Sequence, residues 1–298
     1  MIELTQLRYF VKLAEVLNFT EAAKQLFITQ STLSQSIAKM EGELGVPLFD
    51  RIGHKLYVSE AGSLFLPNAL QTLRDADEGM QKLRDMQHNY TSELRVGVTH
   101  SLTELLIKVL PLFCRQYPLV KVSVYYSTTI GEMVDRVKNR KVDFAVTYRP
   151  HLLESSVESE EMFHSPLCAV TAHNHPFSQR TSLSLEEVSG CELILPSRGL
   201  LTRTLLDDLA RRHRVALNPM MEINDIGMII KLLQQGTWVS VLTGSSIVED
   251  ASLKVIPLKE RSGLMRASLL WPKGGYKKQV AKELAAMLLA CEQNHDRS

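Results

Sequence analysis

Apolar residues recur at Leu4, Leu7, Phe10, Val11, Ala14 and Leu17, a helical spacing that buries one stripe. Asn18 ends that helix and Phe19 packs in the bend. Thr20 is the expected cap of a short second helix, with Glu21 in its first turn, where the helix dipole favours an anion. Ala22, Ala23 and Leu26 form its inner face, and small residues there let two helices cross closely. Phe27, Ile28 and Thr29 make a turn. A third helix is predicted from about Gln30 to Leu44, burying Leu33, Ile37, Met40 and Leu44 and stopped by Gly45. Pro47, Gly53 and the alternation through Leu56, Tyr57 and Val58 predict a two-stranded wing. Ser59 then caps a long helix reaching about His88. Its seam comprises Ala61, Leu64, Phe65, Ala69, Leu73, Ala76, Met80, Leu83 and Met86. A helix of that length has no expected neighbour in so small a domain, so the seam suggests dimerisation, with a helix packed back on its own chain as the alternative, and Pro67 should bend it locally. Residues 89–92 read as a hinge.

From Glu93 the texture changes. Strands are predicted at Leu94 to Val98, Val120 to Tyr126 and Val142 to Thr147, and helices at Leu102 to Tyr117 and Ile130 to Asn139. Such alternation argues for parallel sheets. A second strand-helix series runs from Leu167 through Trp238 to Leu242. A strand near Ala267 to Leu270 and a helix from Lys277 to Cys291 are too short for a domain and should return to complete the first lobe.

Composition refines this picture without redirecting it. The chain has 298 residues, enough for two or three domains, and an ordinary 45% hydrophobic and 22% charged content. The first residues, MIELTQLRYF, lack the basic-then-apolar layout of an export signal, and no apolar run is long enough to span a bilayer. The four cysteines, Cys114, Cys168, Cys191 and Cys291, lack metal-ligand spacing and read as reduced thiols of a cytoplasmic protein, with a redox pair between Cys168 and Cys191 as the minor alternative. Net charge is +1, and the charges of the first 58 residues balance, so bulk charge does not announce nucleic acid. Pattern does. Two short helices, a tight turn and a basic wing with Arg51, His54 and Lys55 form the layout of a winged helix-turn-helix, which sets its last helix into the DNA major groove.

The stretch FTEAAKQLFITQSTLSQSIAKMEGELGVPLFDR, followed by SEAG at 59–62, resembles the LysR-type transcriptional regulators. Weaker echoes are LRVGVT, LPLFCRQYP, KVDFAV, HPF and LLQQGTWVSVL, so the likeness spans nearly the whole chain. The resemblance implies an α/β protein with an N-terminal winged helix-turn-helix, a linker helix that mediates dimerisation, and a two-lobed effector domain similar to type 2 periplasmic binding proteins. The corresponding boundaries are 1–58, 59–90 and 91–298, with lobe I at about 91–163 plus 267–298 and lobe II at about 164–266. It implies a homodimer or homotetramer that binds double-stranded promoter DNA, responds to a small molecule between the lobes and works with RNA polymerase, with no membrane and no cofactor. Three positions depart from the family pattern: Ser31-Thr32 replaces a common Pro-Ala, Ser127-Thr128 a common Glu-Gly, and Thr243-Gly244 follows Leu242 where Leu-Pro is usual.

At the DNA end, Gln30 and Gln35 are the expected base readers, since Gln pairs bidentately with adenine, and Ser31, Thr32 and Ser34 are expected to make mixed contacts. Thr20 joins them, and Arg51, His54 and Lys55 should hold phosphates. For Ser31 helix capping, and for Arg51 a salt bridge to Asp50 or another acid, are the structural alternatives. At the effector end, ligands of two-lobed α/β folds sit at strand C-termini and helix N-termini, which suit anions. The expected residues are Thr99, His100, Ser101, Thr128, Thr129 and Thr147 in the first lobe, and Ser197, Arg198, Thr202, Arg203, Thr243 and Gly244 in the second. These hydroxyls with one or two cations suggest a small anionic metabolite, and helix capping is the plainer role for each Thr. An enzyme is disfavoured because no P-loop, HExxH or G-x-S-x-G occurs, and His173 and His175 read as a strand-end turn rather than a metal site.

Overall fold

The computed structural model describes residues 1–53, 55–87, 93–150, 152–247, 251–260 and 265–293, with side chains through residue 291. The chain divides into two compact units, residues 1–88 and 89–298.

The first unit contains α1 (Leu4–Val16), α2 (Phe19–Gln25), α3 (Gln30–Leu44), β1 (Phe49–Ile52), β2 (Lys55–Val58) and α4 (Glu60–Met86). Leu17 closes α1 in the left-handed region (φ 53°). Asn18, rather than Thr20, caps α2: its side chain accepts from the Glu21 amide at 3.0 Å, and Thr20 lies one residue inside the helix. Asn supplies the same capping oxygen as Thr, so the helix starts earlier than the expected cap. Gly45 ends α3 at φ 73°, and Glu41 ties the end of α3 to the wing, its Oε1 accepting from the Leu48 and Phe49 amides at 2.8 and 3.2 Å. β1 and β2 pair antiparallel, with Ile52 opposite Lys55 at the tip. The core is built on Phe10, whose ring meets Phe49 edge-on at 5.6 Å and Phe65 at 5.7 Å, with Leu13, Leu33, Ile37, Met40 and Leu48 around it.

Ser59 alone separates β2 from α4. Its hydroxyl donates to the Pro47 carbonyl at 2.7 Å and accepts from the Gly62 amide at 3.0 Å. Gly62 sits so close to the wing that a Cβ would fall 2.2 Å from the Leu48 carbonyl oxygen, which explains the glycine of SEAG. The α4 seam divides. Phe65, Leu66, Ala69 and Leu73 pack onto this unit's own core, contrary to the expectation of a helix without a neighbour. Leu64, Met80, Leu83 and Met86 remain exposed. Arg8 on α1 also reaches Asp77 on α4 at 3.2 Å.

The second unit opens with β3 (Glu93–Thr99), a 3-10 turn (His100–Leu102), α5 (Thr103–Gln116), β4 (Lys121–Ser127), α6 (Ile130–Lys138), β5 (Phe144–Tyr148) and β6 (Val157–Ser165). There follow β7 (Leu167–Ala172), α7 (Leu185–Ser189), β8 (Ile194–Pro196), α8 (Leu201–His213), β9 (Met221–Ile223), α9 (Ile226–Leu233), β10 (Val239–Thr243), β11 (Leu253–Pro257), β12 (Met265–Pro272) and α10 (Gln279–Gln293). Two main sheets form, ordered β4-β3-β5-β12-β6 and β10-β7-β11, beside a short parallel pair of β8 and β9. The chain enters the second sheet between β6 and β7 and returns to the first with β12. The sheets are mixed rather than parallel: β3 runs parallel to β4 and β5, β12 runs antiparallel to β5 and β6, and β7 pairs antiparallel with both neighbours. In the first sheet β6 runs in the same direction as β5, since both pair antiparallel with β12, so the mixed character there comes from β12, the strand that returns from the second sheet.

An ion-pair cluster fastens α7 to the chain beyond β11. Glu187 completes a capping box with Ser184 and pairs with Arg180 at 2.6 Å and Lys259 at 3.0 Å. The Ser184 amide, then Lys259 and Arg180, hold its carboxyl down at about 2, against an ordinary 4.5. A depressed carboxylate stabilises the fold above its unfolded pKa and loses that contribution as pH falls through the folded value. Glu187→Gln is therefore expected to lower the urea midpoint at pH 7, with the gap to the parent closing progressively below about pH 4.5. A gap that stays constant down to pH 3 would rule out the carboxylate as its source.

Candidate functional site

On α3, Leu33, Ile37 and Met40 face inward while Gln30, Ser31, Thr32 and Gln35 are exposed and Ser34 is half-buried. The polar residues cluster at the N-terminal turns because the apolar ones repeat at helical spacing on the opposite side. Thr29 caps α3, accepting from the Thr32 amide at 3.1 Å, and its hydroxyl lies 2.8 Å from those of both Ser31 and Thr32. Thr29 is absent from the residues expected at this site, although a Thr directly before an amphipathic run is a start signal. Thr20 bonds through its hydroxyl to Gln30 Oε1 at 3.3 Å, so α2 helps orient a side chain of α3. Arg51 stands over the Phe19 ring, 5.3 Å from its centre, instead of forming the considered salt bridge to Asp50. Lys55 is exposed on the wing, and His54 falls outside the described residues.

In the second unit, a small cleft lies between the sheets. Thr99, His100 and Ser101 follow β3, Thr128 and Ile130 follow β4, and Tyr148 ends β5. The opposite wall carries Leu200, Leu201 and Thr202 at the start of α8 and Asn224 and Ile226 at the start of α9, with Met265 at the head of β12. Thr99, His100, Ser101, Thr128 and Thr202 are the expected residues that meet here. Tyr148, Asn224 and Met265 join them unexpectedly, because strand-end position in sequence does not say which side chains turn inward.

The remaining expected residues do other work. Thr129 caps α6, accepting from the Glu132 amide. Thr147 is fully buried in β5. Ser197 donates its amide to the Ile223 carbonyl, and Arg198 is exposed. Thr243 binds the Ser246 hydroxyl at 2.6 Å, and the Gly244 amide donates to the Pro166 carbonyl. Arg203 is 3% exposed and fully occupied, reaching Asp207 at 2.8 Å, Glu222 at 3.0 Å and the Pro196 carbonyl at 3.0 Å. It braces α8 against β8 and β9 rather than supplying a cation to the cleft.

His100 Nδ1 lies 2.9 Å from the Tyr126 hydroxyl, and a Cβ on Gly227 would come within 3.1 Å of the His100 ring, so α9 closes on it tightly. Burial lowers the His100 pKa, with Asp225 and Glu104 pulling the other way, and burial raises that of Tyr126. Beneath the cleft the Tyr148 and Ser165 hydroxyls both meet Ser245, joining elements of the two lobes. Burial pushes the Cys168 thiol up to about 11 and also raises Cys191, which makes both poor nucleophiles. No group of three or more His, Cys, Asp or Glu able to hold a metal occurs among the described residues, nor does a helix long and apolar enough to cross a membrane.

Comparison with known proteins agrees with this geometry. The model for the bacterial regulatory helix-turn-helix protein, lysR family, matches residues 4–63, and the LysR substrate binding domain matches residues 87–291. The Escherichia coli HTH-type transcriptional regulator YnfL is 29% identical over 293 residues, covering 97% of this chain and 98% of that one. A full-length OxyR from Pseudomonas aeruginosa, solved as a point variant, superposes with a TM-score of 0.72 at 22% identity, covering 97% of this chain and 95% of its own. The Synechocystis CcmR regulatory domain, solved in complex with 2-PG, matches 68% of this chain and 98% of its own with a TM-score of 0.60 at 19% identity. With the helix-turn-helix at one end and the substrate binding domain over most of the remainder, the chain belongs to the LysR family of DNA-binding transcriptional regulators.

Proposed function

We propose that Gln30 and Gln35 read base edges, that Ser31, Thr32 and Ser34 make mixed base and phosphate contacts, and that Arg51 and Lys55 hold the backbone. The observation that carries this reading is the exposed amide-and-hydroxyl face at the N-terminal turns of α3, opposite a fully apolar one. Thr20 acts through Gln30. Residues 1–58 form the DNA-binding module and 59–90 the linker. The exposed Leu64, Met80, Leu83 and Met86 supply an apolar surface for a second copy of the chain. A symmetric dimer then reads two half-sites, in the cytoplasm and in company with RNA polymerase. The cleft of the second unit takes the effector, bound by Thr99, His100, Ser101, Thr128 and Thr202. That CcmR's regulatory domain was solved with 2-PG supports a small-molecule ligand for this fold.

Footprinting on DNA flanking the gene tests the dimeric reading. Two protected half-sites are expected, their centres about one helical turn or a multiple of it apart. A single protected half-site at saturating protein would defeat it.

A further inference from the structure

We propose that the cleft selects a small organic monoanion, one carboxylate on a compact apolar body, and rejects dianions. This rests on the reading of the cleft as the effector site and narrows what it admits.

Three observations converge. First, α8 is a 13-residue helix whose cap, Leu200, makes no side-chain capping bond, and Leu200, Leu201 and Thr202 all line the cleft. Amides of a first helical turn have no intrahelical acceptor and carry the positive end of the dipole, so this turn offers a carboxylate donors and about half a positive charge. Second, the hydroxyl of Thr99 on the facing wall has no hydrogen-bond partner among the described residues, although the residue is only 6% exposed. An unmet buried hydroxyl carries a desolvation cost that a ligand oxygen would relieve. Thr202 is nearly as needy, its hydroxyl reaching the Met265 sulfur at 3.9 Å.

Third, the charge balance is thin. No Lys or Arg is found among the described residues lining the cleft. Arg203, next to Thr202, is turned away into its own ion pairs. His100 is held toward its neutral form by burial. One negative charge can be met by the dipole and the hydroxyls, whereas a second would enter a partly apolar site without a counter-charge. The apolar remainder of the wall, Leu200, Ile226 and Met265, fits a hydrocarbon body.

Calorimetric titration of the full chain tests the idea with straight-chain, branched and aromatic monocarboxylates from butyrate to benzoate. Phenyl phosphate and succinate serve as dianionic counterparts. At least one monocarboxylate is expected to bind, and Thr99→Val should weaken it about tenfold or more, the worth of a hydrogen bond to a charged group. Thr202→Val serves as the second variant should the first fail to fold. The dianions are expected not to bind at concentrations that saturate with the monoacid. Binding of a dianion as tightly as the best monoacid, with the same sensitivity to Thr99→Val, overturns the charge selection and leaves the effector site standing. Binding indifferent to both substitutions removes the ligand from this cleft and takes the underlying reading with it. Absence of binding by every monocarboxylate overturns the proposal outright.

Discussion

Replacing Phe10 with alanine is expected to destabilise the first unit by about 3–5 kcal/mol and to abolish DNA binding at physiological temperature. Phe10 is fully buried, and its ring is where the wing and α4 meet α1, through Phe49 and Phe65. Truncation therefore opens a cavity shared by three elements that cannot all collapse into it. A unit of this size has only about 5–10 kcal/mol of stability to lose. The chain provides its own control, because both tryptophans, Trp238 and Trp271, lie in the second unit. Far-ultraviolet circular dichroism should show an early loss of helix in Phe10→Ala, while the tryptophan transition stays near that of the parent. An unchanged helical transition would mean that Phe10 is not the keystone of this core.

The second large effect concerns specificity. Gln35→Ala is expected to cost about 1–3 kcal/mol on a cognate promoter, roughly tenfold to a hundredfold, with little change on random DNA. Gln35 is exposed one turn after Ser31 and Thr32, and its amide carries both a donor and an acceptor. Lys55→Ala should weaken both DNAs alike and reduce the slope of log affinity against log salt by about 1, since a phosphate contact releases a counterion without reading sequence. Gel-shift titrations at two salt concentrations separate the two behaviours. Equal losses for both variants on both DNAs would dismiss the division of labour.

Much of the first unit is legible in the sequence because its signals are local. The apolar periodicity of α3, the glycine at 45 and the cap at Ser59 each act within a turn or two of chain, and the structure carries each of them, whereas the expected stripe of α1 is carried only in part: Leu7 and Phe10 are buried with Leu13, while Leu4 and Leu17 are exposed. The displaced cap at Thr20 shows the resolution of such signals: Asn18 and Thr20 both carry a capping oxygen, and only backbone geometry chooses between them. The α4 seam misleads because periodicity marks a buried face without saying what buries it. The cleft is hardest. Arg203 and Thr202 are adjacent in the chain at the head of one helix, yet one lines the cleft and the other is drawn away by Asp207 and Glu222, the latter 19 residues onward. Nothing local to Arg203 announces that second partner.

Ser59 is the whole of the connection between the wing and α4, and both its bonds and the approach of Gly62 to Leu48 leave that connection no room to swivel. The helix is thus a fixed arm on the DNA-binding module. With 27 residues at about 1.5 Å each it is roughly 40 Å long, slightly more than one turn of DNA along its axis. In a dimer joined along its exposed far end, the arm works as a ruler. On the dimer and the role of α3 proposed above, the distance between the two α3 helices would be written into the number of residues in α4, and operator spacing would be inherited by counting rather than by contact.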